Sequence, residues 1–324
     1  MSLLSSDIPP GPALPQNVAS KAVVETQNLR KVFKDFWGRP KAVALDNISL
    51  KLHPGEVCAL IGPNGSGKTT LIKILLGLLY PTGGSAQVFG DNCFEISNKA
   101  RIGFLPENNY FYEHLTGLET LHFHGKLLGL PKKERKERVE YVLEITRMKN
   151  EAHRTLSQYS LGMTRRMGIA QALLADPELL ILDEPTNGLD PVGIDETHKL
   201  IDHLKQRGKT ILICTHLLAE TEDICNHIGV LLQGKMLTQG SLKDLYQEHQ
   251  TESMKELFLK VIRDAQGPEY STLNFSKDTQ NQSDPQEETD PSIPSIGLEQ
   301  NDEQPHSEGT TGPDQDYLDS LSKD

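Results

Sequence analysis

Gly62-Pro63-Asn64-Gly65-Ser66-Gly67-Lys68-Thr69-Thr70 is the stretch on which the reading of this chain turns. It fits G-x-x-x-x-G-K-[ST], the pattern of a loop that cradles phosphate. Before it, Glu56-Val57-Cys58-Ala59-Leu60-Ile61 is an apolar run of strand length, and after it Leu71-Ile72-Lys73-Ile74-Leu75-Leu76 is patterned as a helix. A strand before and a helix after are the context this motif requires. Glycines let the backbone take positive φ and close on a pyrophosphate with no side chain between. The amides of residues 65–69, backed by a helix N-terminus, are expected to point at phosphate oxygens. Lys68 is expected to reach the β- and γ-phosphates, and the Thr69 hydroxyl to ligate Mg²⁺.

Outward from that loop, the composition is that of a globular domain with a biased end. A chain of 324 residues, 36% of them hydrophobic, can bury a substantial core in one or two domains. No run approaches 18 consecutive apolar residues, so no membrane-spanning helix is expected. Residues 1–21 lack a basic start and an apolar stretch, so a disordered leader rather than a secretory signal is expected. The four cysteines, Cys58, Cys93, Cys214 and Cys225, have neither metal-site nor disulfide spacing, which points to the cytoplasm. Residues 265–324 hold 14 acidic and 2 basic residues, which accounts for the whole net charge of −12. The remainder is neutral, and nothing in it favours nucleic acid as a partner. The acidic, Ser- and Gln-rich tail reads as disordered, because it has too little apolar surface to offset chain entropy.

Along the chain, apolar alternation predicts strands over residues 23–33 and 44–53, with an aromatic-bearing loop between them. The helix after the phosphate loop is expected to end near Tyr80, where Pro81-Thr82-Gly83-Gly84 marks a turn. Residues 85–89 and 100–106 read as short strands. Two successive helical patterns within residues 108–175 break the strand–helix alternation and predict an inserted helical subdomain. Residues 179–182 and 210–215 are strongly apolar, as in strands buried on both faces of a parallel sheet. A crossover helix over residues 194–207 joins them, and a strand pair turning at Gly234 leads to two closing helices.

The strand 179–182 runs into Asp183-Glu184-Pro185. Acids at the C-terminal end of a buried strand emerge at the crevice where ligands bind in open α/β sheets. Asp183 is suited to hold Mg²⁺, and Glu184 to take a proton from an attacking water or to orient it. Alone, such a pair reads as solvent-exposed acids; after a phosphate loop it reads as a site.

Three further stretches complete a pattern. Tyr159-Ser160-Leu161-Gly162-Met163 lies 21 residues before Asp183, counted from Gly162; Asn187-Gly188-Leu189-Asp190 follows it; and His216 ends the next buried strand. In this order they resemble the signature, D-loop and switch histidine of the ATP-binding cassette (ABC) ATPases, over about residues 22–264. The resemblance implies an α/β P-loop NTPase cassette with a mainly parallel central sheet, a small antiparallel β subdomain and an inserted helical subdomain. It implies that two cassettes pair head to tail around ATP. Ser160 and Gly162 would then donate to the γ-phosphate of the other subunit, His216 would bond that phosphate and the water, and Asp190 would link the two sites. Adenine would stack on Phe33, which fits the family's Leu-x-Lys-x-aromatic pattern (Leu29, Lys31, Phe33), with Trp37 as the alternative.

Two departures narrow the resemblance. Glu107 stands where the family usually has Gln, offering an oxygen to Mg²⁺ or water but adding charge and no amide donor. Tyr159, Leu161 and Met163 replace the usual Leu, Gly and Gln. These variants resemble the branch that serves ABC-2-type exporters. They imply an ATP-hydrolysing subunit, peripheral on the inner face of the cell membrane, that powers a separate membrane-spanning permease docked near Glu107 and residues 108–118. The alternative is a soluble ABC ATPase acting in translation or DNA maintenance. Its usual double cassette, inserted coiled coil or basic surface is not in this sequence.

Overall fold

The computed structural model describes residues 21–266. The expected leader and acidic tail lie almost entirely outside that span. Three five- or six-residue strands form the middle of the larger sheet: β3 (Val57–Ile61), β7 (Leu179–Asp183) and β8 (Thr210–Thr215). Every residue in all three is buried. β6 (Ile102–Leu105) and β9 (His227–Leu232) extend the sheet as parallel neighbours, and β10 (Lys235–Ser241) closes one edge antiparallel, in the order β10-β9-β3-β8-β7-β6. Gln233 and Gly234 both take positive φ in the β9–β10 turn, as a tight two-residue hairpin requires.

The alternation of β3 explains why the sheet carries two cores. Val57, Ala59 and Ile61 face a cluster with the helical subdomain and the C-terminal helices. Cys58 and Leu60 face the opposite cluster, with α1 (Lys68–Leu75) and the smaller sheet. Each fully buried Leu or Ile contributes about 1.5–3 kcal/mol, so the central strands are held from both sides.

The smaller sheet is antiparallel, in the order β2-β1-β4-β5, from β1 (Val24–Lys34), β2 (Pro40–Leu52), β4 (Gly83–Val88) and β5 (Asp91–Asn92). β2 starts four residues before the strand expected at Ala44. Asp35 Oδ1 accepts from the amides of Trp37 and Arg39 at 2.9 and 2.8 Å, which folds residues 35–39 into a hairpin turn. Pro40 is tolerated because β2 is an edge strand. The strand expected over residues 100–106 shortens to β6, because Ile96–Arg101 forms a 3₁₀ helix.

α1 also stops at Leu75, short of Tyr80. Gly77, at φ +70°, donates to the Ile74 carbonyl at 2.8 Å, and Leu78 donates to Lys73 at 2.8 Å, the paired bonds of a glycine-terminated helix. Three helices occupy the region between β6 and β7: α2 (Gly117–Leu127), α3 (Lys132–Ile145) and α4 (Leu161–Ala172). Thr116 and Glu119 start α2 with a reciprocal capping box. Asp190 caps α5 (Pro191–Gln206), with Pro191 in the first turn, so the crossover helix begins three residues before the expected Ile194. The chain then runs through α6 (Leu218–Thr221), α7 (Leu242–His249) and α8 (Met254–Gln266). Among the described residues no helix is long and apolar enough to cross a membrane.

Candidate active site

Parallel register sets the site. Ile61 pairs with Thr215, and Asp183 with Cys214, so β3, β7 and β8 end side by side. The chain leaving each end is tied to its neighbour: Gly62 N donates to Thr215 O at 3.3 Å, and Glu184 N to Cys214 O at 2.8 Å. One cavity opens there, of about 270 Å³, lined by Ala44, residues 64–70, Glu107, Asp183 and Glu184.

Two glycines let the loop close on the sheet. A Cβ on Gly62 would lie 2.2 Å from Leu231 O. Gly67 caps α1 at φ +111°, and a Cβ there would meet Ala44 O at 2.5 Å. Larger residues at either position would push the loop off the sheet. Lys68 is buried, with Nζ donating to the carbonyls of Gly62 at 2.5 Å and Pro63 at 3.2 Å. Ser66 Oγ is buried with no hydrogen-bond partner among the described residues. A buried hydroxyl without a partner, in a loop that lines the cavity, is matched by a polar ligand there.

The carboxylates crowd. Asp183 is 3% exposed, and burial, then the charges of Glu184 and Glu107, push its carboxyl up to about 6. Lys68 and the hydroxyl of Thr69, which donates to Asp183, act the other way. Glu184 is also buried and sits at φ +49°, a conformation a non-glycine residue rarely adopts. Its Oε2 accepts from Thr215 Oγ1 at 2.8 Å and from the His216 amide at 3.4 Å. Its Oε1 lies 2.9 Å from His216 Nδ1 and 3.9 Å from Lys68 Nζ. This carboxylate–imidazole pair and the part of Thr215 in it are not legible in the sequence, since the partners stand more than 30 positions apart and meet only through strand register.

Other expected site residues stand apart from the cavity walls. Ser160 caps α4, its Oγ accepting from Met163 N at 3.3 Å, which leaves its own O–H free to donate. At Gly162 a Cβ would meet only Leu189 Cδ2, at 3.8 Å. Nothing among the described residues therefore demands a glycine there. Asp190 Oδ1 accepts from Gly193 N at 2.9 Å. Phe33, 40% exposed, lies under the Lys31 ammonium at 5.3 Å from its ring centroid and does not line the cavity; Trp37 packs edge-on against Phe36 at the hairpin tip.

The residues fit MgATP by their chemistry. Among the described residues no group of three or more His, Cys, Asp or Glu is arranged to cage a metal ion. Mg²⁺ is commonly held by one or two protein oxygens together with nucleotide phosphates, and Asp183, Thr69 and Glu107 are of that kind. A strand–loop–helix phosphate cradle beside two buried acids defines a P-loop ATPase site.

The chain belongs to the ABC transporter ATP-binding proteins. Residues 45–187 match the family model described as ABC transporter. It is 42% identical over 226 residues to an ABC transporter ATP-binding protein, sll0415, of Synechocystis, covering 69% of this chain and 64% of that one, just under two thirds of its length. It is 42% identical to the bacitracin transport ATP-binding protein BcrA of Bacillus licheniformis, over 67% of this chain and 69% of that one. A solved ATP-binding subunit of an ABC transporter superposes with a TM-score of 0.66 at 29% identity, covering 74% of this chain and 99% of the other. A dimeric ATP-binding cassette in a post-hydrolysis state, bound to ADP and Pi, superposes at 0.61 with 26% identity, covering 68% of this chain and 98% of that one. The fold is accordingly the α/β cassette of this family.

Proposed function

We propose that this chain is the ATP-hydrolysing subunit of an exporter, lying on the inner face of the membrane and driving a separate membrane-spanning permease. The observation that carries the catalytic part is the buried Glu184, fixed by Thr215 and His216 beside the phosphate cradle. Its carboxylate takes the proton of the attacking water, while Lys68 and the amides of the loop hold the phosphates. With Nδ1 on Glu184, His216 has Nε2 for phosphate or water. Thr69, Asp183 and Glu107 would hold Mg²⁺, which supplies charge neutralisation at the phosphates.

Head-to-tail pairing of two cassettes is supported by what the single chain leaves unused. Ser160 keeps a free hydroxyl donor at the N-terminus of α4, where the helix dipole favours an anion. Gly162 is small where its own chain has room for more, which suits close approach by a nucleotide held on a second cassette. Asp190, already a helix cap, stands in the D-loop between such sites. Phe33 is our choice for the adenine platform. The exporter reading draws on relatives named for bacitracin transport and Nod factor export.

Membrane fractionation tests the partner claim. The full chain at native expression should sediment with membranes, stay there through a salt wash and leave with detergent. Recovery of the chain in the soluble fraction alone would overturn it.

A further inference from the structure

Arg165 has no part in the site as described, yet it is buried, at 5% exposure, on α4 one turn after the Ser160–Gly162 cap. Burying a guanidinium costs several kcal/mol unless its donors are used. Its Nη1 donates to the main-chain oxygens of Pro106 at 3.0 Å and Glu107 at 2.7 Å. A second observation places the same seam. Gly168 lies three positions on, on the same face of α4, and a Cβ there would come within 2.6 Å of Leu105 Cδ1 and 2.8 Å of the Asn109 side chain. The chain leaving β6 is thus seated against α4, with Gly168 allowing the approach and Arg165 gripping its carbonyls. Burial lowers the pKa of Arg165, while the carboxylates of Glu107, Glu184 and Asp183 act to raise it, so the cation also sits in the field of the catalytic acids.

We infer that Arg165 is a positioning residue: it locks the Glu107 segment to the signature helix, so that Glu107 and the Ser160–Gly162 turn move as one body. The inference rests on the roles proposed above for those residues. A permease pressing on residues 106–109 then displaces the phosphate-facing end of α4 directly, because the link is one charged nitrogen, Nη1, shared by two main-chain carbonyls, while Nε is buried without a partner among the described residues.

The test uses the full chain with Arg165→Met and Arg165→Lys. Arg165→Met keeps much of the volume and removes the donors. Steady-state ATP turnover should fall about tenfold, as expected for loss of charged hydrogen bonds, while affinity for a fluorescent ATP analogue stays within about twofold. Hydrogen exchange at the amides of residues 105–110 should rise severalfold, with other segments unchanged. Arg165→Lys, which keeps the charge but on a shorter side chain that reaches the two carbonyls less well, should fall between the two on both readouts. Unchanged exchange at residues 105–110 overturns the anchor, as does a fall in turnover matched by an equal fall in nucleotide affinity. Raised exchange with parental turnover would leave the anchor standing and count against the role of Glu107. If the methionine variant does not fold, the lysine variant decides, and parental exchange and turnover in it overturn the proposal.

Discussion

Replacing Glu184 by glutamine is expected to lower steady-state ATP turnover by about a thousandfold, within the range that general-base catalysis supplies. Glutamine keeps the shape of the side chain, and its carbonyl oxygen can still accept from Thr215, which now donates to Oε2 at 2.8 Å. What it loses is the carboxylate that takes a proton. The effect should fall on turnover and leave affinity for ATP near the parental value, because the phosphate cradle and Lys68 are untouched. ATP-bound cassettes should therefore accumulate. Phosphate release by this variant at the parental rate would remove Glu184 from its role.

Asp183→Asn should abolish turnover and at the same time make the nucleotide-free protein more stable. A carboxyl pushed up to about 6 in the folded chain, against an ordinary value of 3.8 unfolded, binds its proton more tightly when folded. The sign follows directly. Below about pH 4 the group is protonated in both states, and stability is lost as pH rises from there through 6. The loss at neutral pH is about 3 kcal/mol. Asparagine has no charge to bury and should escape it, so Tm without nucleotide or Mg²⁺ should rise by about 6 °C at pH 7.5. The gain should shrink markedly at pH 5. Adding MgATP should reverse the ranking, because only the parent has the carboxylate to gain from it. An equal shift at both pH values would show that packing, not charge, controls the difference.

The site thus trades folded stability for a charge cluster, and that trade is only half legible in the sequence. Residues 62–70 and the Asp183-Glu184 pair are readable because each is a local pattern: a loop between a strand and a helix, and acids at the end of an apolar run. The pairing of Glu184 with His216 and Thr215 is not local. It depends on β7 lying beside β8 with Asp183 opposite Cys214, a register that no spacing rule supplies. Arg165 is hidden for a different reason. An arginine on a helix reads as a solvated side chain, and its burial appears only once the chain leaving β6 is seated on α4. The early end of α1 was signalled by Gly77, but the apolar residues Leu78 and Leu79 extend the helical pattern past it.

Ser160 and Gly162 illustrate the reverse case. Resemblance names them as site residues, yet in the single chain they stand away from the cavity that holds Lys68 and Asp183. A site completed by a second cassette accounts for both facts. The permease, by contrast, is proposed from relatives named for transport; among the described residues no helix is long and apolar enough to cross a membrane.

The most direct measurement of that claim is affinity purification of the tagged full chain from detergent-solubilised membranes, with the co-purifying proteins identified by mass spectrometry. A multi-spanning membrane protein is expected in stoichiometric amount, and its own pore would then narrow the cargo. Recovery with ribosomal or DNA-bound proteins and no membrane protein would contradict it, leaving the ATPase chemistry in place but attached to different work.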